Sequence, residues 1–64
     1  MYSKAALLEI FQNILQFEVK VKKMYDDCIE KLEDKDIINI LQSISNEEKN
    51  HIELAKPLLD LIKE

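Results

Sequence analysis

Apolar residues recur along the first half of this chain in steps that alternate between four and three residues. The series consists of Leu7, Phe11, Ile14, Val21, Tyr25, Cys28 and Leu32. The second half repeats the rhythm in Ile37, Leu41, Ile44, Ala55, Leu58 and Ile62. This spacing places an apolar stripe along each of two α-helices and is typical of the seam between packed helices. The pattern therefore predicts an all-α chain.

Capping and breaking residues predict where the helices begin and end. The expected elements are a helix over about 4–32, a turn over about 33–36 and a helix over about 35–63. Ser3 and Asp34 are suitable N-caps for the two helices. The chain has no glycine and one proline, Pro57, which removes a backbone donor, so we expect a kink or break there. A short connection between long helices predicts one domain, residues 1–64, folded as an antiparallel helical hairpin.

Each apolar stripe has a gap that ionisable side chains fill. Glu18 occupies the gap in the first stripe, and Glu48 with His51 occupies the gap in the second. At a rise of about 1.5 Å per residue, these three residues lie roughly 24, 21 and 26 Å from a turn at Asp34, and therefore at one level. Burying an unpaired charge costs several kcal/mol, and a metal ion is the partner that carboxylates and imidazoles share. We predict that these residues bind a metal ion, with iron or manganese suited to this mixed ligand set.

Further apolar rows flank the stripes on both helices. They consist of Ile10, Phe17 and Met24, of Leu8, Leu15 and Ile29, and of Ile52, Leu54, Leu59 and Leu61. A hairpin covers one stripe per helix, so the remaining apolar surface predicts self-association. A two-fold homodimer would form a four-helix bundle, and larger homo-oligomers could be built from it. Such a dimer would bring together four carboxylates and two imidazoles, enough to balance two divalent cations.

Glu18 and Tyr25, seven residues apart and followed by the Glu48-x-x-His51 motif, resemble the first half of a rubrerythrin-type domain. That family belongs to the ferritin-like di-iron carboxylate proteins, and the resemblance spans about residues 8–58. It implies a ferritin-like four-helix bundle with two iron ions per dimer. Glu18 and His51 would be terminal ligands, Glu48 a bridging ligand, and Tyr25 a hydrogen-bond donor beside the metal site.

The same resemblance implies an oxidoreductase, either a ferroxidase or a rubrerythrin-like enzyme. Such an enzyme oxidises Fe(II), or reduces dioxygen or peroxide with electrons from a donor that the sequence does not identify. Manganese or another divalent metal could replace iron. The family carries four helices in one chain, so a partner chain would have to supply the second pair.

Less specific interpretations exist for the same residues. His51 alone would more often be a core histidine bonded to a carboxylate, and Glu18 could be a polar seam residue that sets the helix register. Tyr25 more often serves as ordinary core. At the level of the whole chain, the alternatives are a non-catalytic helical assembly module and a structural metal-binding protein.

Composition narrows the range of partners. The net charge is −4, from 13 acidic and 9 basic residues, and no basic stripe for nucleic acid is present. No apolar run approaches the roughly 20 residues that span a membrane, and the start of the chain does not have the pattern of a secretory signal. The single cysteine, Cys28, excludes an intrachain disulfide and suits a reducing cytoplasm. We expect a soluble cytoplasmic protein without a nucleic-acid or membrane partner.

Overall fold

The computed structural model describes all 64 residues as two helices joined by a short turn. Helix α1 spans Lys4–Glu30 and helix α2 spans Lys35–Lys63. They pack side by side as an antiparallel hairpin with overall dimensions of 47 × 17 × 15 Å. The all-helical hairpin is confirmed, and α1 ends slightly earlier than expected because Lys31 is its C-cap.

Both expected N-caps are confirmed. The Ser3 hydroxyl accepts a hydrogen bond from the Ala6 amide at 3.1 Å. The Asp34 carboxylate accepts from the amides of Asp36 and Ile37 at 2.9 and 3.1 Å. These bonds satisfy amide groups that have no partner within the first turn of a helix. The Asp34 cap therefore fixes the residue at which the turn ends and α2 begins.

Helix α2 continues through Pro57, so of the expected kink or break the break is wrong and the kink stays a prediction. A proline inside a helix costs a backbone hydrogen bond and crowds the preceding turn. Leu59, two residues later, is 8% exposed and is the one buried apolar side chain of the hairpin. Burial of this side chain against α1 helps to offset the lost hydrogen bond.

The seam between α1 and α2 includes most members of the predicted stripes. The predicted members that are half-buried are Leu7, Phe11, Val21 and Tyr25 on α1, Leu32 in the turn, and Leu41, Ile44, Ala55 and Ile62 on α2. Other half-buried or buried positions are Leu8, Leu15, Glu18, Lys22 and Ile29 on α1, and Ile38, Ser45, Glu48, Ile52 and Leu59 on α2. Several predicted members, Ile14, Cys28, Ile37 and Leu58, are exposed instead. Each of them precedes a residue that does lie in the seam. The apolar band is wide enough to fit two overlapping phases, and the spacing alone does not say which phase faces the other helix.

The remaining apolar side chains lie mainly on one side of the hairpin, which we call the open face. Its large exposed members are Ile14, Phe17 and Met24 on α1, and Ile37, Ile40, Leu54, Leu58 and Leu61 on α2. Steps of three and four along each helix keep these residues on one stripe. Only 2 of the 64 residues are buried, so the hairpin has a very small core of its own.

A polar contact that the sequence analysis missed crosses the seam at Lys22, Asp26 and Ser45, which we call the Asp26 clasp. The fully buried Ser45 hydroxyl donates to Asp26 Oδ1 at 2.5 Å. Lys22 Nζ donates to Asp26 Oδ2 at 2.6 Å from one turn earlier on α1. The only sequence signal was Lys22, which interrupts the apolar row of Leu8, Leu15 and Ile29.

The Asp26 clasp predicts a loss of stability in acid. The Lys22 ammonium and, to a lesser extent, the Ser45 hydroxyl hold the pKa of the Asp26 carboxyl below its ordinary value of 3.8. A depressed pKa stabilises the folded state above the unfolded-state pKa, and this contribution is lost as the pH falls through the folded value. The wild type should therefore melt above Asp26→Asn near neutral pH, and the difference should shrink below about pH 4.

Thermal unfolding followed by circular dichroism at a series of pH values measures this difference. Asp27→Asn is the matched control, because Asp27 is exposed and makes no side-chain hydrogen bond or ion pair. Its melting temperature should stay close to that of the wild type throughout. A gap between wild type and Asp26→Asn that does not change with pH would contradict the assignment.

Candidate metal centre

Glu18, Glu48 and His51 come together where the two helices face each other. One ligand atom from each residue lies within 4.8 Å of the corresponding atoms of the other two. Glu18 belongs to α1, while Glu48 and His51 lie one turn apart on α2. The three residues that fill the gaps in the sequence pattern therefore form a single cluster.

The closest contact in the cluster joins the two helices. His51 Nδ1 lies 3.4 Å from Glu18 Oε1. Two neighbouring ligands of one ion, each about 2.1 Å from it, are about 3 Å apart, so this separation is close to that of a ligand pair. The residues thus fit a divalent cation by geometry and by donor type.

Burial decreases across the cluster toward the open face. The Glu18 side chain is 22% exposed, and the His51 side chain is 54% exposed. Glu48 is half-buried in the seam. A cation held here would meet the protein on one side and would have free coordination positions on the other. These positions point to the surface that carries the exposed apolar side chains.

The charge of the cluster is not balanced by lysine. The one lysine–carboxylate ion pair of the hairpin is Lys22–Asp26, the His51 imidazole lies against Glu18, and neither contact includes Glu48. Two carboxylates therefore share one imidazole. Carboxylates in close proximity repel each other, and a divalent cation between them removes that repulsion.

On the side of the cluster that faces the two chain ends, the neighbouring side chains are apolar. A shallow groove of about 240 Å³ begins at Glu18 and His51 and continues between Phe11, Ile14, Leu54, Ala55 and Leu58. Its walls would limit the access of water to one side of a bound ion.

Tyr25 lies away from the three candidate ligands. It is seven residues from Glu18, about 10 Å along α1, and it lines a second groove with Val21, Met24, Cys28 and Leu41. No side-chain hydrogen bond links it to the cluster. Its role beside the metal site stays a prediction. The free thiol of Cys28 is exposed at the same groove.

No protein-family model matches this chain, and no curated protein or solved structure matches it either. The resemblance to rubrerythrin-type domains therefore rests on the residues named above. Neither helix contains an apolar stretch long enough to cross a membrane. Fold and site together define a two-helix hairpin with a carboxylate–imidazole cluster whose donor atoms could hold a metal ion.

Proposed function

We propose that two copies of this hairpin pair through their open faces and form a di-iron carboxylate centre that oxidises Fe(II) or reduces dioxygen or peroxide. One observation carries the proposal. The ligand atoms of Glu18, Glu48 and His51 converge within 4.8 Å at the edge of an exposed apolar surface.

The small core supports the pairing of two copies. A chain of this length with 2 buried residues needs additional stabilisation from a partner, a metal or both. The open face supplies the apolar surface for a two-fold dimer. Pairing would cover Leu54, Leu61 and Phe17, which are 65–68% exposed in the single hairpin.

The ligand count also supports two copies. Three protein ligands leave an octahedral ion with open positions. A second copy doubles the set to four carboxylates and two imidazoles, whose charge balances two divalent cations. Reduction of peroxide to water takes two electrons, which two Fe(II) ions supply one each.

The residues have separate tasks in this scheme. Iron supplies the one-electron chemistry. Glu18 and Glu48 hold the cations and neutralise their charge, and His51 completes the ligand set from α2. The apolar side chains of the adjoining groove border one flank of the site. With three protein ligands from each chain, a bound ion would keep coordination positions at which an oxidant could react.

Anaerobic titration with Fe(II), followed by exposure to air, tests this function. We expect saturation near one iron per chain and, after air, ultraviolet absorbance from carboxylate-bound ferric iron. Protein loaded with Zn(II) is the control. It should develop no new ultraviolet absorbance in air, because Zn(II) has no redox chemistry. Iron oxidation no faster than in buffer alone would contradict the proposed function.

The extent of the open face favours one alternative, a helical assembly module in which Glu18 and His51 are an ion pair that helps to select the partner. Such a module would dimerise equally well with and without metal and would not consume oxygen. A structural metal site would bind the ion but would show no repeated turnover. Oxygen consumption over several equivalents of Fe(II) separates both alternatives from a ferroxidase.

A further inference from the structure

The Asp26 clasp contains the only side-chain hydrogen bond that joins α1 to α2. Every other side-chain hydrogen bond of the hairpin lies within one helix or at a helix cap. The Ser45–Asp26 bond links residues 19 positions apart, and Ser45 is completely buried. A seam position that a larger apolar residue could fill is thus occupied by a small polar residue with one specific partner.

Apart from the Glu18–His51 contact within the candidate site itself, the remaining seam contacts do not fix the axial position of the helices with the same accuracy. Leucine and isoleucine contacts are non-directional and change little when one helix slides a short distance along the other. A hydrogen bond depends steeply on distance and angle. The turn fixes one end of the hairpin, and the clasp adds a directional contact between the turn and the candidate ligands.

The clasp is rigidly connected to the candidate ligands. Ser45 lies one turn before Glu48 in the uninterrupted helix α2, and Asp26 lies about two turns after Glu18 in the uninterrupted helix α1. Sliding one helix by a single residue would move its ligands by about 1.5 Å. Metal–ligand distances tolerate changes of about 0.2 Å, so a much smaller slide would already disturb the site.

We propose that the Ser45–Asp26 hydrogen bond positions the metal site by fixing the axial register of α2 on α1, so that Glu18 stays level with Glu48 and His51. Ser45 and Asp26 are positioning residues and do not touch the ion. This inference rests on the proposed metal centre, whose ligands are the groups being positioned.

Titration of the full-length protein with Co(II), followed by visible absorption, tests the proposal. Ser45→Ala removes the donor, and we expect about tenfold weaker Co(II) binding with a changed absorption spectrum. Ser43→Ala is the matched control, because the exposed Ser43 hydroxyl donates to the Asn39 carbonyl within α2. It should bind Co(II) as the wild type does.

A second pair of variants changes Asp26, the acceptor of the hydrogen bond. Asp26→Ala should weaken Co(II) binding about as much as Ser45→Ala, whereas Asp26→Asn keeps an acceptor oxygen and should stay within about threefold of the wild type. Circular dichroism verifies that each variant is helical. If Ser45→Ala does not fold, the Asp26 pair decides the question.

The results distinguish a hydrogen bond that positions the metal ligands from one that only stabilises the fold. Lower melting temperatures with unchanged Co(II) affinity and spectrum in Ser45→Ala and Asp26→Ala would overturn the proposal. Equal losses of Co(II) affinity in Asp26→Asn and Asp26→Ala would overturn the proposal too, because an acceptor oxygen at residue 26 would then be insufficient to hold the register.

If the wild type binds no Co(II), the proposed metal centre fails, and the register role is tested without metal. Structures of metal-free Ser45→Ala and Ser43→Ala would then be compared. A separation of Glu18 Oε1 and His51 Nδ1 clearly longer than 3.4 Å in Ser45→Ala alone would support the register role. An unchanged separation would refute it.

Discussion

Glu48→Ala and His51→Ala are each expected to reduce the iron content of the purified protein from about one ion per chain to almost none. Each change removes one of only three ligands from a cluster whose atoms lie within 4.8 Å. Loss of a residue that merely supports a ligand costs 10–100-fold in metal affinity, and loss of a ligand itself costs more. Elemental analysis after anaerobic loading and gel filtration measures the result.

Glu53→Ala is the matched control for this experiment. Glu53 carries the same functional group on the same helix, but it is exposed, lies on the flank of α2 away from the open face, and does not belong to the cluster. Its iron content should equal that of the wild type. If both Glu48→Ala and His51→Ala keep the iron content of the wild type, these residues do not bind iron and the proposed metal centre is wrong. The helical assembly module would then be the better explanation of the cluster.

Leu54→Lys is expected to convert the proposed dimer into a monomer at micromolar concentration. Leu54 lies on the open face and is 68% exposed in the single hairpin, so a partner would bury it. Burial of a leucine contributes about 1.5–3 kcal/mol, and a lysine there would add the cost of desolvating its charge. Because each copy contributes one Leu54, we expect the dissociation constant to rise by at least 100-fold.

Sedimentation equilibrium with and without metal measures this change. Val19→Lys introduces the same charge at another exposed apolar residue, which is 49% exposed and lies on the opposite flank of α1. This control should remain dimeric. Dissociation by both variants would indicate general destabilisation, and dissociation by neither would show that the open face is not the interface.

The sequence was sufficient to predict the hairpin because its signals are local. Ser3 and Asp34 cap the helices through contacts within a few residues, as predicted. The convergence of Glu18 with Glu48 and His51 also followed from counting along two helices from a short turn. A short turn between two regular helices leaves little freedom in which residues of one helix lie opposite which residues of the other.

The phase of the seam could not be predicted in the same way. Ile14 and Leu15 are both apolar, and only the packing of α2 decides that Leu15 is covered while Ile14 is exposed. The Ser45–Asp26 contact was missed for a related reason. Serine and aspartate are common on exposed helix surfaces, and their pairing becomes visible only when the two helices are placed together.

The positions of the three candidate ligands along the chain give the proposed metal ion a consequence for unfolding. Glu18 belongs to one helix and Glu48 to the other, so an ion bound to both closes a loop of about 30 residues. Such a closure restricts the unfolded chain and opposes the separation of the helices, as a covalent crosslink would. With so small a core, the hairpin would depend on its ion for much of its resistance to unfolding, and iron supply would then govern the lifetime of the protein in the cell.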